Sequence, residues 1–346
     1  MIKVMVVDDS AYNRVTISKL LESSRNIRVV ATAVNGEDAI RQVMKHRPDV
    51  ITLDLEMPVI DGFAFLRWLM VTLPTPVIAV SSRSSDRSVF KALELGAVDF
   101  IAKPGGRISV QLDQIAADLV AKVHQCGQIR IENVSARLAR QEGPRAPIED
   151  SDRCVEGIDL VVIGCSTGGP PAIQFLFETL PLLPVPFVIA QHMPSTFTRL
   201  FAERVNKLTE YTVKEAEDGE VLQPGFAYVA PGGRQTEVVR SPEGLRVATY
   251  EALVEDLYAP SVDRLFSSAS DACGKAVVAV VMTGMGEDGA GAIRKVRENG
   301  GRTLAEAESS AVIFGMPGAA IRTGAVQTVA PLAEIPAAIQ HFCGGT

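Results

Sequence analysis

Short apolar runs rich in β-branched residues alternate with amphipathic stretches along the first 125 residues, at positions 3–7, 28–33, 49–55, 76–82 and 99–103. Runs of that length read as strands, and the helical periodicity between them reads as repeated βα units around a parallel sheet. The last unit closes with Leu112, Ile115, Leu119 and Val123 at helical spacing, an apolar stripe that needs a core to cover it. From Cys126 to Gly157 the pattern stops: the stretch mixes both signs of charge, contains Pro144 and Pro147, and has no apolar stripe longer than a turn. Past Gly157 the apolar runs return in DLVVIGC, PFVIAQH, GFAYVAP and KAVVAVVMTGMG, with helical stretches such as 196–207 and 290–299 between them. The pattern therefore predicts an α/β chain of two domains. Residues 1–125 form a five-stranded parallel sheet, 126–157 a linker, and 158–346 a doubly wound domain on a mainly parallel sheet.

Composition removes several function classes. At 346 residues and 47% hydrophobic content, both halves can bury a core of ordinary size. No window approaches the roughly 18 uninterrupted apolar residues of a membrane span, and the opening MIKVMVVDDS lacks a signal-peptide core. The expectation is a cytoplasmic chain with no direct membrane insertion. Cys126, Cys154, Cys165, Cys273 and Cys343 are scattered without a C-x-x-C pair, so free thiols are expected rather than disulfides or zinc. Residues 151–346 hold 15 Lys+Arg against 23 Asp+Glu, an acidic half ill suited to nucleic acid.

In open α/β sheets, ligands gather beyond the carboxyl ends of the strands. Polar residues stand at those ends in the first half: Asp8 and Asp9 after the first strand, Asp54 the third, Ser81 the fourth and Lys103 the fifth. Three converging carboxylates repel unless a cation holds them, and hard oxygen ligands suit Mg²⁺. Such an ion could neutralise a phosphoryl group arriving on Asp54, with Ser81 and Lys103 taking its other oxygens. The segments VDDS at 7–10, DLEMPVIDG at 54–62, VSS at 80–82 and GAVDFIAKP at 96–104 resemble the receiver domain of bacterial two-component response regulators. The resemblance implies a flavodoxin-like fold in which Asp54 takes a phosphoryl group from a histidine kinase. It also implies that Asp8, Asp9, Asp54 and the backbone carbonyl of Glu56 bind Mg²⁺, that Ser81 and Lys103 sense the phosphoryl group, and that Phe100 is the aromatic switch residue. Ser81 stands where many receivers have threonine, and either hydroxyl donates the same hydrogen bond.

In the second half, apolar runs lead into Ser166 and His192, and the run ending in TGMGEDGAG carries Asp288. The chain has only His46, His124, His192 and His341, so His192 is nearly the sole candidate for a base of neutral pKa in this domain. A serine hydroxyl is too weakly acidic to attack an ester unaided; Ser166 would need His192 to take its proton, and His192 would need Asp288 to orient it. The segment GCSTG at 164–168 satisfies G-x-S-x-G, but the order Ser, His, Asp differs from that of α/β-hydrolases. Two rivals compete for this loop. A dinucleotide cradle would require G-x-G-x-x-G, which glycines 164, 168 and 169 miss. Cys165 could be the nucleophile, but adjacent strand-end residues point apart, which favours Ser166 facing the site and Cys165 the core.

The segments IGCSTGGP, AQHMPSTFT, FAERVN, EAEDGEVLQPGFAYVAPGGR, PSVDRLF, VVMTGMGEDGAGAI and SSAVIFGMPGAA together resemble the catalytic domain of the chemotaxis protein-glutamate methylesterase. The likeness implies hydrolysis of γ-glutamyl methyl esters on the cytoplasmic helices of chemoreceptors through Ser166, His192 and Asp288, without a cofactor for the ester step. It implies an oxyanion hole using a backbone N–H near Met285, Thr167 as a supporting hydroxyl, and a receiver that blocks the site until Asp54 is phosphorylated. Some members of the family also deamidate receptor glutamines. Gln235 departs from the pattern, since many members carry histidine after APGGR. The alternative class is a response regulator with a non-catalytic binding or adaptor output, and the lack of a basic recognition helix argues against its DNA-binding form.

Overall fold

The computed structural model describes residues 1–81, 86–102, 109–127, 129, 131–134 and 157–344, excluding the side chains at 81, 86–87, 102 and 109–116. The chain divides into two compact units, Met1–Pro144 and Arg145–Thr346.

The first unit alternates β1 (Ile2–Val7), α1 (Ala11–Glu22), β2 (Ile27–Ala33), α2 (Gly36–His46), β3 (Val50–Asp54), α3 (Gly62–Thr72), β4 (Val77–Ser81), α4 (Asp86–Glu94), β5 (Asp99–Ala102) and α5 (Ser109–Cys126). Its sheet runs β2-β1-β3-β4-β5 with every pairing parallel. All of β3 is buried, as a strand covered by helices on both faces must be, which is why Val50, Ile51 and Leu53 precede Asp54 with only Thr52 among them. Ser10, Asn35 and Asp61 each accept the N–H of the residue three positions on, starting α1, α2 and α3. The strand order reverses between β1 and β3, and such a reversal opens a crevice at the carboxyl ends. Within the stretch read as a linker, residues 131–134 are helical and Val134 is buried; positions 135–156 lie outside the described residues.

The second unit contains β6 (Leu160–Cys165), α6 (Gly169–Thr179), β7 (Phe187–Gln191), α7 (Ser195–Asn206), β8 (Thr212–Glu215), β9 (Phe226–Val229), β10 (Arg234–Ser241) and β11 (Gly244–Glu251). It continues through α8 (Val262–Cys273), β12 (Val277–Val281), α9 (Ala290–Glu298), β13 (Arg302–Glu306), α10 (Met316–Arg322), β14 (Thr328–Ala330) and α11 (Ile335–Cys343). Seven strands form one sheet in the order β14-β13-β12-β6-β7-β9-β8, again parallel throughout. Strands β10 and β11 form a separate antiparallel hairpin. Val238, Leu245 and Val247 of the hairpin join Val262, Leu265 and Phe266 of α8 in the core that underlies β6 and β12.

Helix α8 packs tightly on β6 at Gly164: a Cβ there would lie 2.2 Å from Val262 Cγ1. This contact sets the start of α8 directly under the loop that follows β6. Gly164→Ala should therefore lower stability by about 1–3 kcal/mol through overpacking, read from urea denaturation. Adding Val262→Ala should recover part of the loss. An unchanged midpoint for the single variant would show that α8 is not seated here.

Candidate functional site

The register of the central strands builds the site. Strands β6 and β7 pair up to Cys165 opposite Gln191, so the next residues, Ser166 and His192, leave the sheet side by side. The His192 N–H donates to the Cys165 carbonyl (3.0 Å), and the Ser166 N–H donates to the Thr283 carbonyl beyond β12 (3.0 Å). The buried Gln191 amide donates to the carbonyls of Ser166 (2.9 Å) and His192 (3.1 Å), tying the two turns together. Its Oε1 accepts the Cys165 thiol at 3.0 Å. Cys165 is fully buried, and desolvation, helped by the charge of Glu306, pushes its thiol well above the ordinary range.

His192 Nε2 lies 2.9 Å from Asp288 Oδ2. The same carboxylate accepts the N–H groups of Val262 (2.7 Å) and Asp263 (2.9 Å) and the Ser261 hydroxyl (3.1 Å), so it sits on the N-terminus of α8. Burial alone would raise the Asp288 carboxyl. The His192 hydrogen bond and charge and the two backbone N–H groups outweigh it and hold the carboxyl below the usual carboxylate range. On its face, the His192 ring stacks on Tyr258 with centroids 4.5 Å apart and planes 5° from parallel.

Gly284 packs against the nucleophile loop so closely that a Cβ there would lie 2.8 Å from both the Cβ and the N of Ser166. Met285 follows Gly284 directly in the chain. The Thr167 carbonyl accepts the Thr283 hydroxyl (3.0 Å), and the buried Glu306 carboxylate accepts the Thr283 N–H (2.8 Å). Gln235 is fully buried on β10. Its amide donates to the Tyr258 carbonyl (2.7 Å) and to Asp256 Oδ2 (3.1 Å), and its Oε1 accepts the Ser261 N–H (2.9 Å).

In the first unit, carboxylate oxygens of Asp8, Asp9 and Asp54 lie within 4.8 Å of one another, Asp8 and Asp54 buried and Asp9 exposed. Ser10 N–H and the Asn13 amide orient Asp8, and the Glu56 N–H donates to Asp54 Oδ1 (3.1 Å). Three hard oxygen donors at that spacing fit an octahedral Mg²⁺. Phe100 is buried on β5, with the Lys122 ammonium 5.8 Å from its ring centroid and bonded to the Phe100 carbonyl. Ser81 closes β4, its side chain outside the description, and Lys103 lies outside the described residues.

Sequence reasoning missed Gln191, Tyr258, Ser261 and Glu306. Ser261 had a readable signal, because PSVDRLF places a serine just before an amphipathic helix, where N-caps occur. The others reach the site from loops and strands whose proximity only the folded sheet creates.

Residues 161–339 match the family described as CheB methylesterase, and residues 4–112 the family described as response regulator receiver domain. The chain is 45% identical over 339 residues to a Myxococcus xanthus protein named protein-glutamate methylesterase/protein-glutamine glutaminase 1, covering 98% of this chain and 96% of that one. It is 41% identical over 351 residues to a Bacillus licheniformis protein named protein-glutamate methylesterase/protein-glutamine glutaminase, covering 99% and 98%. The crystal structure of the Thermotoga maritima CheB methylesterase catalytic domain superposes with a TM-score of 0.51 at 38% identity, over 54% of this chain and 98% of that one.

The state of Cys165 gives a direct check on this geometry. With its pKa raised, the thiolate is scarce at pH 8 and the sulfur has no access to solvent. Iodoacetamide should leave Cys165 unmodified in the native protein and alkylate it in denaturant, as read by peptide mass spectrometry. Native alkylation at the rate of a free thiol would contradict the placement.

Proposed function

Because the chain belongs to the CheB methylesterase family and carries a response regulator receiver domain ahead of the esterase part, we propose that it hydrolyses glutamate γ-methyl esters on chemoreceptor helices under control of phosphorylation at Asp54. The observation that carries this reading is the His192–Asp288 pair at 2.9 Å, set one strand away from Ser166. We assign the receiver to residues 1–125, the linker to 126–157 and the esterase to 158–346.

The ionised Asp288 can only accept, so Nε2 of His192 carries the proton and Nδ1 holds the lone pair. The ring thus uses its nitrogens in the opposite sense to the serine-protease template, with the same division of labour. Ser166 Oγ attacks the ester carbonyl carbon while its proton passes to Nδ1. The oxyanion of the tetrahedral intermediate is met by the Met285 N–H, with Thr167 supporting the loop. Collapse breaks the carbon–oxygen bond, and methanol leaves with the proton from His192. Water then attacks the acyl-serine, gives a proton to His192, and releases the glutamate carboxylate as Ser166 Oγ recovers its proton. A glutamine side chain passes through the same steps with ammonia as the leaving group, and this second activity appears in the names of the relatives.

In the receiver, Asp8, Asp9 and Asp54 would hold Mg²⁺ with the Glu56 carbonyl, and the ion supplies positive charge to the phosphoryl group transferred to Asp54 by a histidine kinase. Ser81 and Lys103 sense that group and Phe100 answers it. Receptor helices and kinase place the protein in the cytoplasm. Among the described residues no helix is long and apolar enough to cross a membrane.

Receptor membranes carrying labelled methyl esters test this. Ser166→Ala and His192→Gln should each lower methanol release by about 10⁴-fold or more, and the double variant little further, because the members of a triad act as a unit. A small phosphodonor with Mg²⁺ should stimulate the wild type but not Asp54→Ala. Undiminished release from Ser166→Ala would overturn the assignment.

A further inference from the structure

The loop from Leu253 to Ser261 presents Leu253, Val254 and Leu257 to solvent, so little of its own apolar surface holds it down. Polar contacts hold it instead. Gln235, fully buried on β10, bonds to three points of the loop, the Asp256 carboxylate, the Tyr258 carbonyl and the Ser261 N–H. Arg264 on α8 adds a second tie to Asp256, at 2.7 Å. The segment pinned in this way touches both members of the charge pair: Tyr258 stacks on the His192 ring, and Ser261 bonds to Asp288. Gly286 comes close to the hydroxyl end of Tyr258: a Cβ on it would meet that oxygen at 2.6 Å. An imidazole held at one nitrogen can still pivot about that hydrogen bond; a parallel aromatic ring on its face removes the pivot.

We propose that Gln235 and Tyr258 are positioning residues for His192: Gln235 pins the loop, and the Tyr258 ring holds the imidazole plane so that Nε2 stays on Asp288 and Nδ1 faces Ser166. The inference rests on the esterase reading for its kinetic consequence, but the ring geometry can be read without activity. Burial, with the charges of Asp288 and Glu287, pushes the Tyr258 phenol above its ordinary range, so the ring meets the imidazole uncharged. The stacking face, not the hydroxyl, does the positioning.

Full-length variants separate the possibilities. Tyr258→Ala and Gln235→Leu should lower kcat for ester hydrolysis about tenfold or more with KM changed less than about twofold, since misplacing a reacting group acts on the chemical step. Tyr258→Phe should restore kcat, which loss of a hydroxyl-dependent role would not. The chain's four histidines make ¹⁵N-histidine spectra tractable, with His192→Gln assigning the signal. Wild type and Tyr258→Phe should show the single Nε2–H tautomer at His192, and Tyr258→Ala and Gln235→Leu a mixture. Unchanged kcat and an unchanged tautomer in Tyr258→Ala would overturn the proposal. A wild type with the expected spectrum but no Ser166-dependent hydrolysis would contradict the esterase reading, while the spectra of the variants still decide the positioning role.

Discussion

The Asp288 carboxylate is the group around which the strand-end cluster of the second unit is built. A buried anion is expensive unless every lone pair is met, and this one accepts from two peptide N–H groups at the start of α8, the Ser261 hydroxyl and the His192 ring. The helix N-terminus supplies partial positive charge that no mobile side chain has to bring. The place of α8 therefore matters, and the contact of Val262 with Gly164 seats its start against the strand that leads into Ser166. One packing contact thus seats α8 against β6, and the hydrogen bonds from the start of α8 hold the Asp288 carboxylate.

The two units solve different chemical problems by the same construction. In each, a parallel sheet reverses its strand order, and polar residues stand just beyond the carboxyl ends of its strands. In the first unit the gathered residues are carboxylates suited to a hard cation and a phosphoryl group. In the second they are a hydroxyl, an imidazole and a carboxylate, with the neighbouring thiol of Cys165 turned into the core and bonded to Gln191. Gln191 is what makes that division of Cys165 from Ser166 stable, because one amide satisfies the thiol and both turn carbonyls at once.

Much of this was legible in the chain itself. The apolar runs of β3, β6 and β12, broken only by Thr52 in β3, announced strands buried on both faces, and their ends pointed to Asp54, Ser166 and the loop of Asp288. The strands that escaped notice were those without such runs. β8 is a four-residue polar edge, β13 has only Leu304 and Ala305 as apolar residues, β14 has three residues, and β10 with β11 alternates because only one face of the hairpin meets the core. Gln235 was visible as a departure from the family pattern, but its bonds to a loop some twenty residues further on belong to tertiary structure. Tyr258 carried no signal, since an aromatic in a loop stacks on whatever the fold brings to it.

The account's central claim is that the strand-end geometry activates Ser166 and no neighbouring nucleophile. A fluorophosphonate, which phosphonylates activated nucleophiles and leaves unactivated side chains untouched, reads this directly when its adduct is mapped by peptide mass spectrometry. The account predicts one adduct, on Ser166, absent from Ser166→Ala and His192→Gln. An adduct on Thr167 or Cys165, or labelling that persists in Ser166→Ala, would contradict it.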